Sequence, residues 1–130
     1  MTVAIQAASI SDALKISFPG SRRMRRPAEF KRVYANGRRL GNEFFTANLL
    51  ANELTWARLG MSIAARNVRR SVDRNRVRRL IRESFRMHQQ QLPSVDIIIG
   101  ARSAAVQADR AVLRAALEKI WRKVSTACAC

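Results

Sequence analysis

Nine arginines fall within the twenty-one residues from Arg66 to Arg86, and only Asp73 and Glu83 oppose them. A guanidinium is a flat fork of donors that grips phosphate oxygens and stacks on bases. Arg74, Arg78, Arg82 and Arg86 recur at intervals of one helical turn, and like charges at that spacing destabilise an isolated helix. An ordinary solvated helix intersperses lysine with glutamate instead. Val77, Leu80, Ile81, Ser84, Phe85 and His88 recur on one face of the same segment, with Asn75, Arg78, Arg79, Arg82 and Arg86 on the other. One half of such a helix can be buried while the other half meets a polyanion.

A second basic cluster spans 22–39. Its arginines, Arg23 and Arg26 among them, bracket a segment carrying Phe30 and Tyr34 one turn apart. Two readings stand side by side. The rings stack successive unpaired bases, each worth about 1–3 kcal/mol, or they are apolar anchors of a small core. Catalytic groups are not indicated. His88 is the one histidine, without partners for a metal site or a triad. The acidic residues are scattered, with no close set for two-metal chemistry. The pattern is that of a binder, with no catalytic residue and no metal ligand expected in the polypeptide. The arginine-rich segment follows a strand rather than a tight helix-turn, which suits RNA better than a major-groove reader of DNA.

The totals agree. A chain of 130 residues with 48% apolar content and a formal net charge of +16 is large enough for one real core, and charge of that size favours a polyanionic partner. No apolar run approaches the roughly 20 residues that span a bilayer, so no membrane association is expected. In residues 1–20 the apolar stretch is interrupted by Asp12 and Lys15 and lacks a basic start, unlike a secretory signal. Cys128 and Cys130 are too close for an ordinary disulfide and too few for zinc; a reduced tail in the cytoplasm is the expectation.

These residues need elements to position them. Residues 1–21 read as a flexible extension ending near Pro19-Gly20, 22–124 as one domain, and 125–130 as a tail. Pro27–Asn36 has the punctuation of a helix: proline at its start, Glu29 in its first turn and Gly37 beyond its end. Residues 44–51 alternate as a strand, with Phe45, Ala47 and Leu49 on one face and Phe44, Thr46 and Asn48 on the other. After a turn at 52–55, Leu59, Met61 and Ile63 point inward and Arg58, Gly60 and Ser62 outward. These two strands are expected to be antiparallel neighbours. The arginine-rich helix follows, capped by Ser71 or Asp73. Ile97, Ile98 and Ile99 mark a central strand covered on both sides. A last helix spans about 109–124, burying Leu113, Ala116, Leu117, Ile120, Trp121 and Val124. The order is helix, two or three strands, helix, strand, helix: a small α+β sandwich. The strands flanking the arginine-rich helix form a βαβ unit if they are parallel, and such crossovers are normally right-handed.

The stretch LGMSIAARNVRRSVDRNRVRRLIRESFR, with its Arg74-Asn75-Arg76 core, strongly resembles the bacterial ribonuclease P protein family. EFKRVYANGRR, the FF-containing strand and VDIIIGAR fall in family order, so the likeness runs from about Arg22 to Lys123. It implies a compact α-β-β-β-α-β-α sandwich whose crossover through the arginine-rich helix is left-handed, against the usual rule. It also implies a protein subunit bound to a large catalytic RNA that removes the 5′ leader of precursor tRNA. The RNA and its substrate hold Mg²⁺ and the RNA performs the hydrolysis, with no obligate protein partner.

Site roles follow from the resemblance position by position. Arg66, Arg70, Arg74, Asn75, Arg76 and Arg79 match residues that contact the catalytic RNA. Arg23, Arg26, Phe30, Tyr34, Thr46, Asn48, Ser62, Arg78 and Arg82 match the leader-binding cleft, with Arg74, Arg78 and Arg82 as one wall. Asn48 stands where the family often has an aromatic, and Arg69 where it often has glycine. The rival reading is a ribosomal or other structural RNA-binding protein, which shares the charge and size but needs no polar sheet face opposite two aromatics.

Overall fold

A computed structural model describes residues 23–127, residues 25 and 55 excepted. The expected N-terminal extension and both cysteines lie outside the described residues. Helix α1 spans Pro27–Asn36, strand β1 Arg38–Gly41, β2 Phe45–Ala51 and β3 Arg58–Met61. Helix α2 spans Ser71–His88, β4 Val95–Ala101 and helix α3 Arg110–Ala127. This is the expected α-β-β-β-α-β-α order. Helix α3 runs on to Ala127 rather than stopping near 124.

The four strands form one sheet in the order β1-β2-β4-β3. Strand β4 pairs antiparallel with β2 and parallel with β3. The expected pairing of β2 with β3 is therefore wrong: β4 inserts between them. The β-branched run explains the choice, because Val95, Asp96, Ile97, Ile98 and Ile99 are all buried and suit the position with neighbours on both edges. The parallel β3–α2–β4 unit is present as expected. Beyond the outer edge of β3, Met24 donates its N–H to Leu59 O at 2.8 Å.

Alternation splits the sheet into two faces. One face carries Phe45, Ala47, Leu49, Leu59, Ile97 and Ile99, which join α2 residues Val77, Leu80, Ile81 and Phe85 and α3 residues Leu113, Leu117, Ile120 and Trp121 in the large core. Trp121 meets Phe85 edge to face at 5.8 Å, and its Nε1–H donates to Ser84 Oγ at 2.8 Å, locking the two helices. The other face is covered only in part. Helix α1 lies across it through Val33, with Met24, Ile98, Phe30 and Leu50 completing a smaller cluster. Phe44 departs from the expected alternation: it sits in the bend before β2 and packs against the large core.

Helix α2 starts at Ser71 with Arg70 in the cap position and no side-chain cap, so neither Ser71 nor Asp73 is the cap. Asp73 lies in the first turn, where a negative charge favours the helix start. His88 is half-buried on the apolar side, with Nδ1 2.8 Å from Ser84 O.

Candidate nucleic-acid interface

The uncovered part of the α1 face is a concavity of about 500 Å³. Its floor is Thr46 and Asn48 of β2, Ile98 and Gly100 of β4, and Ser62 just past β3. Tyr34 of α1 and Arg39 of β1 stand on one side; Arg66 and Asn67 of the β3–α2 loop and Arg102 after β4 stand on the other. Gly100 keeps the floor open, because a Cβ there would lie 2.7 Å from Thr46 Oγ1. The polar floor is the alternation of β2 read outward: its inward residues are consumed by the core, so Thr46 and Asn48 must face α1.

The two aromatics of α1 do different things. Tyr34 is 49% exposed and lines the concavity. Phe30 is half-buried in the smaller cluster over Gly60, where an added Cβ would lie 2.7 Å from its Cζ. Phe30 is an anchor, and Tyr34 is a free ring beside a polar trough. Three arginines surround the trough against one carboxylate, Glu43. The site has hydrogen-bonding groups on its floor, positive charge at its rim and one stacking surface. Those are the components that hold an unpaired nucleic acid strand.

The predicted site residues separate into groups. Tyr34, Thr46, Asn48, Ser62 and Arg66 come together in the concavity. Arg23 and Arg26 are exposed at the approach to α1 and do not line it. None of Arg74, Arg78 and Arg82 lines it either. The expected arginine wall is absent because α2 packs its apolar side on the opposite face of the sheet. Within the arginine-rich segment some guanidiniums serve the protein itself. Arg74 Nη1 donates to Val68 O at 3.0 Å and Arg69 O at 2.8 Å, bracing the loop that carries Arg66. Arg76 Nη2 donates to Val106 O at 3.0 Å. Arg70, Asn75 and Arg79 are exposed. Among the described residues, no group of three or more His, Cys, Asp or Glu is placed to hold a metal ion, and no helix is long and apolar enough to cross a membrane.

The sequence placed Arg39 only in the basic cluster that brackets α1, without a site role, and gave Arg102 none. The first follows α1 on a four-residue edge strand too short to show a period. Sequence reasoning also missed a largely buried charge network. Arg58, expected on the outward face, grips Asp96 through Nε and Nη2 at 2.8 and 2.7 Å and reaches Glu29 through Nη1 at 2.8 Å. Asn52 Nδ2 donates to the same carboxylate at 2.8 Å. Glu29 also accepts the Arg26 backbone N–H at the start of α1, so the network ties that helix to β3 and β4. Burial pushes the Asp96 carboxyl up. The Arg58 and Asn52 hydrogen bonds, with the charges of Arg58 and Arg32, outweigh that and hold it below the usual carboxylate range. The hydrogen bonds and charges of Asp96 and Glu29 outweigh burial at Arg58 and raise its guanidinium above the ordinary arginine value.

A family model described as Ribonuclease P matches residues 18–125. The ribonuclease P protein component of Thioalkalivibrio sulfidiphilus is 42% identical over 117 residues, covering 90% of this chain and 98% of that protein. That of Methylococcus capsulatus is 40% identical over 111 residues, covering 85% of this chain and 87% of the relative. A solved structure of a Staphylococcus aureus RNase P protein mutant with defective mRNA degradation activity superposes with a TM-score of 0.76 at 30% identity, covering 79% of this chain and 87% of that one.

Proposed function

This chain belongs to the ribonuclease P protein family, and from that premise we propose that its concavity holds the single-stranded 5′ leader of precursor tRNA while α2 docks on the catalytic RNA. The protein is a subunit of ribonuclease P, the ribonucleoprotein endoribonuclease of tRNA processing, and it associates with the RNA of that particle. The observation that carries the leader assignment is the trough of about 500 Å³ with a polar floor, a free Tyr34 ring and arginines at its rim. A leader lying there would stack a base on Tyr34 and offer base edges to Thr46, Asn48 and Ser62. Its phosphates would face Arg39, Arg66 and Arg102. Phe30 acts from behind, fixing α1 against Gly60, and Arg23 and Arg26 extend the positive approach.

On the opposite side, Arg70, Asn75, Arg76 and Arg79 face the catalytic RNA, with Arg78 and Arg82 adding to the field rather than lining the leader path. Arg74 contributes by holding the loop. Mg²⁺ is held by the RNA and the substrate, and hydrolysis is the work of the RNA. The particle acts in the cytoplasm.

The test adds purified protein to its cognate catalytic RNA at low Mg²⁺ and measures 5′-leader cleavage. Stimulation supports the proposal. Binding without stimulation favours the rival reading, a structural RNA-binding protein.

A further inference from the structure

Helix α3 is absent from every functional motif read above, yet its outward edge is basic. Arg110 and Arg114 are both exposed, one turn apart, at the end of α3 that lies beside the arginine-rich part of α2. Between the two helices runs a furrow. Its narrow part, about 70 Å³, is lined by Arg76 and Arg79 of α2 and Arg110 of α3 over an apolar floor of Val77, Leu80 and Leu113, with Glu83 at one side. It then widens past Glu83 to Arg114, Arg86 and Glu118. The guanidinium forks at its rim suit the oxygens of a phosphate.

Position and charge agree. Arg76 is hydrogen-bonded to Val106 O, in the turn that leads into α3, so the bond sets where Arg110 stands relative to α2. The three ion pairs among the described residues are Arg58–Glu29, Arg58–Asp96 and Arg70–Asp73. Glu83 and Glu118 lie within the furrow, and neither forms an ion pair with one of its arginines among the described residues. Five arginines, Arg76, Arg79, Arg86, Arg110 and Arg114, line the furrow against these two carboxylates, and an excess of forked donors along one groove favours a phosphodiester.

We propose that Arg110 and Arg114 form the second wall of an RNA-backbone site on the α2–α3 side, so that a strand of the catalytic RNA lies in the furrow between the helices rather than on α2 alone. The inference rests on the reading of α2 as the docking side. It assigns to α3 a binding role that the Arg-Asn-Arg segment does not include. Because the furrow and the leader trough lie on opposite faces of the sheet, the protein is held between two RNA strands at once.

The experiment compares the full-length chain with Arg110→Ala/Arg114→Ala, with Arg110→Lys/Arg114→Lys, and with Arg79→Ala, after circular dichroism shows native folding of each. Affinity for the catalytic RNA alone is measured across a monovalent salt series. The double alanine variant is expected to bind about tenfold more weakly at moderate salt, with the log–log slope reduced by roughly 0.7–0.9 per lost phosphate contact. The lysine pair should recover most of the slope. At saturating protein, the preference of the holoenzyme for precursor over mature tRNA should not change. Unchanged affinity and slope in the double alanine variant, with a loss for Arg79→Ala, would overturn the α3 wall and leave α2 docking intact. No loss in either would overturn both. A loss seen only in tRNA binding would place the substrate in the furrow and also sink the proposal.

Discussion

The α1 face of the sheet carries arginines at both ends, and the two ends are built in opposite ways. At one end Arg58 has a side chain only 16% exposed and is gripped by Asp96 and Glu29. At the other, Arg39, Arg66 and Arg102 rim an open trough with Glu43 as the one carboxylate among its lining residues. The residue type is the same. What differs is whether the fold supplies a counterion. A paired, half-buried guanidinium is spent on holding α1 to β3 and β4. An unpaired one at a concave rim remains available to an outside anion. Counting arginines does not separate these uses.

The comparison breaks most easily at the closed end. Asp96→Asn should cost about 3–5 kcal/mol of unfolding free energy in urea, since it strands Arg58 without its main counterion. Arg39→Ala or Arg66→Ala should stay within about 0.5 kcal/mol of the parent. Equal losses would show that the rim, too, is structural. The next effect is on pH. With the Asp96 carboxyl held below its unfolded value of about 3.9, its contribution is fully present above that value and is lost as pH falls through the depressed folded value. The parent should therefore lose stability more steeply below about pH 4 than Asp96→Asn does, as followed by thermal melts across acid buffers.

At the open end the effects move from stability to binding. Tyr34→Ala should weaken precursor tRNA binding by about 1–3 kcal/mol and leave mature tRNA affinity and thermal stability unchanged. Phe30→Ala should instead lower stability, because its ring packs over Gly60. Matching phenotypes for the two rings would dissolve the distinction between anchor and stacking surface. The smallest effect is expected for Arg102→Ala. It should reduce the salt dependence of precursor binding by less than about one phosphate equivalent, measured as the slope of log affinity against log salt.

Much of the fold was legible because burial leaves a local period. The 3,4 spacing in 77–85 and 113–124 placed the buried faces of α2 and α3, and all of Val77, Leu80, Ile81, Phe85, Leu113, Leu117, Ile120 and Trp121 are in the core. The isoleucine run placed β4 at the centre. The floor of the trough was legible for the same reason, as the outward residues of β2. Of its rim arginines only Arg66 carried a site role, and that for the catalytic RNA: Arg39 sits on an edge strand, and Arg102 follows β4 with no pattern around it. The arginine wall expected from α2 failed because helical spacing tells which side of a helix is buried, but not which face of the sheet it covers.

The sequence by itself determined the elements, their buried sides and the sign of the partner, since each depends on spacing within one segment or on a sum over the chain. Only the tertiary structure decided that β4 separates β2 from β3, that Tyr34 is free while Phe30 is not, and which arginines are neutralised. Those outcomes rest on contacts between distant segments. Arg58 meets Asp96 across 38 positions and Glu29 across 29, so no local pattern records the pairing. Charge is a property of composition, but its availability is a property of the fold.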